Sequence, residues 1–93
     1  MKITLKQLRY AVACARCGNL SLAAAELHVS QPSLTAAIDS LERQYAQKIF
    51  VRRRGAGAAL TPFGRTVIDQ ARRVLDESRQ LENLAKSSGE VSG

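Results

Sequence analysis

The stretch Ser21–Tyr45 reads SLAAAELHVSQPSLTAAIDSLERQY and predicts two helices joined by a tight turn. Ser30 is expected to cap the second helix, because its hydroxyl can accept a hydrogen bond from a free backbone N–H of the first turn. Pro32 lies in that first turn, where a missing N–H costs nothing. The apolar residues that follow have the spacing of one buried stripe: Leu34, Ile38, Leu41 and Tyr45.

On the opposite face of this second helix, the side chains are small at the beginning of the helix and long and basic near its end. A helix that lies in the major groove of DNA needs little bulk where it is deepest and polar groups within reach of the base edges. The stretch is therefore predicted to be a helix-turn-helix. The residues on this outer face are Pro32, Ser33, Ala36, Asp39, Ser40 and Arg43.

The composition predicts one small domain. The chain has 93 residues, of which 45% are apolar, and this is enough for one modest core. It contains no run of about 18 apolar residues and no apolar segment followed by a cleavage site, so neither a membrane span nor a secretory signal is expected. A cytoplasmic location is the default expectation.

The positive charge is concentrated in the first two thirds of the chain. Residues 1–65 contain ten Lys and Arg against three Asp and Glu, whereas residues 66–93 contain four against five. Solubility alone is one account of a basic chain, but this placement favours a polyanionic partner. Nucleic acid is preferred over a membrane surface, because no basic amphipathic helix rich in Phe, Leu or Trp stands apart from the core.

The two cysteines form a single C-x-x-C, Cys14 and Cys17. Two thiols cannot complete a tetrahedral zinc site, and His28, the one histidine, is expected to be a surface or turn residue. A redox role is disfavoured because the pair lies at the C-terminal end of a predicted helix, where the dipole opposes a thiolate. We expect semi-buried packing residues, with no metal and no cofactor.

Helices are also predicted before the helix-turn-helix and within its first half. The first spans Leu5 to Cys17, with Thr4 as its cap and Gly18 just after its end. The next spans Leu22 to about Leu27, with Ser21 as its cap. The expected core stripe of the first helix consists of Leu5, Leu8, Val12 and Ala15.

A β-hairpin is predicted after the second helix of the helix-turn-helix. Two extended segments, 49–51 and 60–61, flank a Gly-rich turn, an arrangement typical of the wing of a winged helix. Three consecutive arginines, Arg52, Arg53 and Arg54, precede the glycines. An ordinary solvated turn is the alternative, but the charge density favours contact with backbone phosphates, with one arginine entering the minor groove.

The last predicted helix begins at Pro62, after Thr61 as its cap, and runs to about Lys86. Its apolar seam continues past the point where a small domain could cover it. The early turns are expected to pack inward and the later turns to meet a second copy, and residues 87–93 have the composition of a flexible linker. The candidate dimer interface comprises Val67, Ala71, Val74, Ser78 and Leu81.

The order of these parts resembles the N-terminal DNA-binding domain of LysR-type transcriptional regulators. The resemblance covers residues 3 to about 86. It is carried by Leu5-x-x-Leu8-Arg9, Ser21-x-Ala23-Ala24-x-x-Leu27-x-Val29-Ser30-Gln31-Pro32-Ser33-Leu34-Thr35, Ile38-x-x-Leu41-Glu42, Ile49-Phe50-x-Arg52 and Leu60-Thr61-x-x-Gly64.

The resemblance implies a mainly α fold, with a winged helix-turn-helix over residues 1–61, a linker helix over 62–86 that pairs two subunits, and a tail over 87–93. It places Gln31, Pro32, Ser33 and Thr35 against bases or phosphates, and Arg52 with its neighbours against the DNA backbone. Family members often carry a long polar residue where this chain has Ala36, which offers only a methyl group. The wing is also a residue longer than usual.

The function expected from these patterns is sequence-specific binding of double-stranded DNA by a homodimer that regulates transcription. A partner-binding module without DNA recognition would predict a neutral wing, and an enzyme would need a cluster of reactive side chains that this sequence lacks. Family members carry a C-terminal effector-binding domain, so the 93 residues are expected to be part of a longer protein. The candidate DNA-contacting residues are Ser30, Gln31, Pro32, Ser33, Thr35, Ala36, Arg43, Arg52, Arg53 and Arg54.

Overall fold

The structure, a computed structural model, describes residues 2–92, with side chains up to residue 85. Within this part of the chain, four α-helices and one two-stranded antiparallel sheet are present. This confirms the mainly α architecture with a hairpin between the third and fourth helices. The elements are α1 (Leu5–Cys17), α2 (Leu20–Leu27), α3 (Gln31–Tyr45), β1 (Phe50–Arg52), β2 (Ala58–Leu60) and α4 (Pro62–Ser92).

The first helix has the predicted bounds and the predicted cap. The Thr4 hydroxyl accepts a hydrogen bond from the backbone N–H of Gln7 at 3.1 Å, and the Gln7 side chain accepts one from the Thr4 N–H at 3.0 Å. This reciprocal pair satisfies two donors that a helix start leaves free. The helix ends at Gly18, whose φ of 65° is in the left-handed region that favours glycine.

The predicted cap of α2 was wrong: Asn19, not Ser21, caps this helix. The Asn19 side chain accepts a hydrogen bond from the backbone N–H of Leu22 at 3.0 Å. The cap is set by tertiary contact, because Asn19 is extended and forms a β-bridge with Gly57 of the hairpin. The hydroxyl of Ser21 instead donates to Gln31 Oε1 at 2.7 Å.

The stripe of α3 lies in the core as predicted, whereas the stripe of α1 was partly wrong. Leu34, Ile38 and Leu41 are fully buried, and Tyr45 packs against the core from its edge. In α1, Leu5 is exposed, and Val12 and Ala15 are only half-buried. The reason is that α1 contacts α2, α3 and α4 and buries small residues on more than one face. The buried residues of α1 are Leu8, Ala11, Ala13 and Cys14.

The start of α4 approaches the main chain closely. The Thr61 hydroxyl caps the helix, accepting a hydrogen bond from the N–H of Gly64 at 2.8 Å, and donates to the carbonyl of Lys48 at 2.7 Å. A Cβ at Gly64 would collide with the carbonyl oxygen of Ile49 and come within 2.9 Å of its carbonyl carbon. Only glycine therefore fits at this position.

The last helix is longer than predicted. Its backbone is helical to Ser92, beyond the predicted end near Lys86, and so includes residues 87–92, for which the sequence predicts a flexible tail. These residues are rich in Ser and contain one Gly, but they contain no proline that would remove a helical N–H. Gly93 and the side chains from residue 86 onward lie outside the described residues.

The cysteine pair is in the position of packing residues. Cys14 is buried and Cys17 is half-buried, and both are free thiols. Burial raises the pKa of the Cys14 thiol to about 11, so this group remains a neutral thiol at physiological pH. No group of three or more His, Cys, Asp or Glu within the described residues could hold a metal ion.

Candidate nucleic-acid interface

The outer face of α3 is open to solvent along most of its length. Of the candidate DNA-contacting residues near the start of α3, Thr35 is half-buried and the others are exposed. This face therefore presents hydroxyl, amide and methyl groups near its N-terminus and one guanidinium near its end. The exposed candidates are Ser30 and Gln31 at the start of the helix and, along the outer face, Pro32, Ser33, Ala36 and Arg43.

Hydrogen bonds order the beginning of this face. Ser30 is confirmed as the cap, with its hydroxyl accepting from the backbone N–H of Ser33 at 3.2 Å. The Ser30 and Ser33 hydroxyls also hydrogen-bond each other at 2.9 Å. Gln31 is held by the hydroxyl of Ser21, yet Oε1 retains a second lone pair and its amide nitrogen remains a donor. Gln31 is thus oriented by α2 while it remains able to bind a further partner.

A groove between α1 and α3 continues this surface, and sequence reasoning missed it. The groove has a volume of about 480 Å³. The ammonium of Lys6 lies 5.7 Å from the ring centroid of Tyr10, an arrangement in which the ring attracts the cation. The spacing of Lys6 and Tyr10, one helical turn apart and off the core stripe, was the available signal. The lining residues are Thr4, Lys6, Gln7, Tyr10, Ser33, Ala36 and Ala37.

The wing is a short hairpin with its basic residues at the turn. Phe50 pairs with Leu60, Val51 with Ala59 and Arg52 with Ala58. The turn closes through a hydrogen bond from the N–H of Arg53 to the carbonyl of Gly57 at 2.7 Å. Arg53 and Arg54 are exposed, and no ion pair among the described side chains involves Arg43 or either of these two.

The wing is attached to the α1–α2 junction on one side. The N–H of Ala58 donates to the carbonyl of Gly18 at 3.1 Å. The side-chain amide of Asn19 donates to the carbonyl of Gly55 at 3.0 Å. The residue that caps α2 therefore also holds the turn of the wing.

On the other side, acidic residues of α3 hold the wing. The buried carboxylate of Glu42 accepts hydrogen bonds from the N–H groups of Ile49 at 2.8 Å and Phe50 at 3.2 Å. Arg52, a predicted phosphate contact, lies with Nη2 at 3.0 Å from Asp39 Oδ1 and 3.7 Å from Glu42 Oε1. Sequence reasoning assigned no role to Glu42.

Arg16 forms an ion pair within the domain. Its guanidinium hydrogen-bonds the Glu26 carboxylate, joining α1 to α2. This hydrogen bond lowers the pKa of Glu26.

The candidate dimer residues divide into two groups along α4. Val67 and Ala71 are buried in the core of their own chain, Ser78 is half-buried, and Val74 and Leu81 are exposed. The structure therefore brings the first two into the domain and leaves the later turns with an apolar stripe open to solvent.

A helix-turn-helix over α2 and α3, followed by a hairpin with exposed arginines, defines a winged helix-turn-helix domain. No helix in the described part of the chain is long and apolar enough to cross a membrane. The chain belongs to the lysR family of bacterial regulatory helix-turn-helix proteins, whose family model matches residues 5–65.

Curated relatives in this family are named as transcriptional regulators. The chain is 41% identical over 88 residues to the HTH-type transcriptional regulator TfdS of Cupriavidus pinatubonensis, covering 92% of this chain and 30% of the relative. It is 42% identical over 92 residues to TfdT of the same organism, covering 94% of this chain and 40% of the relative. The chain thus spans less than half the length of either regulator.

Solved structures of similar sequence share the fold. The DNA-binding domain of CbnR in complex with DNA matches with a TM-score of 0.84 and 31% identity, over 94% of this chain and 99% of that one. Full-length OxyR from Pseudomonas aeruginosa matches with a TM-score of 0.87 and 35% identity, over 92% of this chain and 29% of that one.

Proposed function

We propose that this chain binds double-stranded DNA sequence-specifically, as a homodimer, and forms the DNA-binding part of a bacterial transcription regulator. The observation that carries the proposal is the exposed, small and polar start of α3 together with a wing whose Arg53 and Arg54 form no ion pair with a described side chain. The likeness to a CbnR domain bound to DNA supports it. A regulator that acts on bacterial DNA works in the cytoplasm.

In this proposal α3 lies in the major groove and reads bases from its first two turns. The amide of Gln31 can pair with the edge of an adenine, and the hydroxyls of Ser30, Ser33 and Thr35 can bind bases or phosphates. Pro32 adds no bulk beyond its ring. Ala36 offers a methyl group that suits contact with the methyl group of a thymine.

The exposed cations supply the phosphate contacts. Arg43 extends from the outer face of α3, and Arg53 and Arg54 extend from the wing. Contacts to phosphates add affinity for any sequence and fix the orientation of the protein, whereas base contacts add the specificity. The two parts of the surface therefore have separable roles.

Dimerisation is proposed through the later turns of α4. Val74, Leu81 and Leu84 form an apolar stripe exposed to solvent, with Ser78 between them. A second copy would cover this stripe. The two winged helix-turn-helix domains of the dimer would then bind two half-sites related by symmetry. Response to a small-molecule effector would belong to residues outside this chain.

The salt dependence of DNA affinity tests the proposal. A dimer that neutralises roughly 6–10 phosphates should show log K falling against log salt with a slope near −5 to −9. Fluorescence anisotropy with a labelled duplex at several salt concentrations measures this slope. A slope near zero would contradict DNA binding.

Two substitutions separate base reading from phosphate binding. Gln31→Ala should cost about 1–3 kcal/mol on a preferred site, selected from a random duplex pool, and much less on random duplex, with an unchanged salt slope. Arg53→Ala should weaken binding to both duplexes equally and flatten the slope by about one. If Gln31→Ala weakens both equally, Gln31 orients α3 and specificity resides in other residues.

A further inference from the structure

Arg52 differs from the other wing arginines because its charge is already engaged. Its Nη2 atom lies 3.0 Å from Asp39 Oδ1 and 3.7 Å from Glu42 Oε1. Asp39 and Glu42 are three residues apart on α3, so they lie on one face of the helix. One guanidinium at the end of β1 thus faces two carboxylates of α3.

Glu42 shows why this engagement matters. Its side chain is 5% exposed, and while Oε2 accepts two backbone N–H groups, Oε1 is buried without a hydrogen-bond partner among the described residues. A buried carboxylate without compensation is costly. The cations nearest to Oε1 are Arg52 and Lys48, each at 3.7 Å, and Lys48 is largely exposed to solvent.

The network ties β1 to α3 at both ends. Glu42 holds the N–H groups of Ile49 and Phe50 at the start of the strand, and Asp39 holds the side chain of Arg52 at its end. Arg53 and Arg54 follow immediately, so their positions relative to α3 depend on this attachment.

We propose that Arg52 is a positioning residue rather than a phosphate contact. It fixes the wing against α3 and neutralises two carboxylates of α3 that would otherwise repel the DNA backbone. This inference rests on the proposed DNA binding, and it replaces the predicted phosphate contact of Arg52. Arg53 and Arg54 remain the phosphate contacts of the wing.

A double-mutant cycle distinguishes the two roles by the sign of the coupling. The probe is a labelled mixed-sequence duplex of about 30 base pairs, roughly three helical turns. In the parent chain Arg52→Gln should weaken binding about tenfold, because Asp39 and Glu42 lose their counter-charge. In an Asp39→Asn background the same change should weaken binding only about threefold or less, because one of the two carboxylates that Arg52 neutralises is then already gone.

A direct phosphate contact predicts the opposite. Asp39→Asn would release Arg52 for the phosphate, so Arg52→Gln would then cost more than it does in the parent chain. That result, or additive effects of the two changes, would overturn the proposal. Arg53→Gln is the matched control: it removes the same charge one residue away, and its effect should be the same in the parent chain and in the Asp39→Asn background.

A measurement on the unmodified chain decides the question if Arg52→Gln does not fold. The ¹H–¹⁵N signals of the arginine side chains are followed by NMR as the same duplex is added. The proposal expects the Arg53 and Arg54 signals to shift and the Arg52 signal to stay, and a comparable shift of Arg52 would overturn it. If the parent chain does not bind the duplex, the proposed function and this inference both fail. If the parent chain binds DNA with the expected salt dependence but Arg52→Gln costs as much or more in the Asp39→Asn background, only this inference is overturned.

Discussion

The third and fourth helices share the same kind of apolar periodicity, but only α3 buries its stripe within the chain. Leu34, Ile38 and Leu41 of α3 are 0% exposed. In α4 the stripe is buried as far as Ala71, whereas Leu81 is 70% exposed and Leu84 63% exposed. Periodicity thus predicts which face of a helix is apolar, and tertiary structure decides what covers it.

The largest expected effect tests how closely the first turn of α4 packs against the main chain of Ile49. Gly64→Ala should lower the free energy of unfolding by about 4 kcal/mol or more, because its Cβ would collide with main-chain atoms of Ile49 that no rotamer change can move. Urea denaturation measures the loss. Thr66→Ala, at an exposed position of the same helix, is the control and should change stability by less than about 0.5 kcal/mol. A mild effect of Gly64→Ala would mean that α4 can shift at its start.

The next effect tests the comparison between the two stripes directly. Ile38→Ala should cost about 3 kcal/mol, because it leaves a cavity in a fully buried site. Leu84→Ala removes a side chain of similar size from the exposed part of α4 and should cost less than about 0.5 kcal/mol at concentrations where the chain is monomeric. Equal losses would show that the far turns of α4 are covered within the same chain.

A third substitution tests the proposed cover of the exposed stripe. Leu81→Asp should leave the helical content unchanged and weaken dimerisation by about 2 kcal/mol, because it places a charge in an apolar interface. Sedimentation and binding to a duplex with two half-sites measure the two consequences. A parent chain that stays monomeric at all workable concentrations would remove the dimer interface from this chain.

The smallest expected effect is a gain in stability at the end of α3. Ala46 caps this helix with a φ of 55°, in the left-handed region that a side chain disfavours. Ala46→Gly should stabilise the domain by about 0.5–1 kcal/mol, since glycine adopts this conformation without strain. Thermal melting checks the gain. A lower melting temperature would mean that the entropy gained by the unfolded chain outweighs the relief of strain.

Several features that depend on neighbouring residues in the sequence were predicted correctly. The caps at Thr4, Ser30 and Thr61 follow from a hydroxyl just before a helix, and the structure confirms them. The wing was predicted from two short extended segments that flank a Gly-rich turn. The stripe of α1 was harder to predict, because three other helices surround α1 and bury more than one of its faces.

Features that depend on distant parts of the chain were missed. Asn19 caps α2 because the wing holds it extended, and its partner Gly57 is far away in sequence. The burial of Glu42 and the ion pairs of Arg52 arise only when β1 returns to α3. Three adjacent arginines look alike in sequence, and only their neighbours in space distinguish them.

The contact of Gly64 with Ile49 makes the base of α4 a stiff joint. No side chain separates Gly64 from the main chain that leads from α3 to the wing. No side-chain rearrangement there can therefore absorb a change in the angle between α4 and the rest of the domain. Leu81 lies about 25 Å along the axis from Gly64. A sideways displacement of about 2 Å there corresponds to a rotation of the whole domain by about 5°, by the same helix geometry. α3 would turn with α4, so a small movement at the far end of the long helix would change the angle of the whole helix-turn-helix.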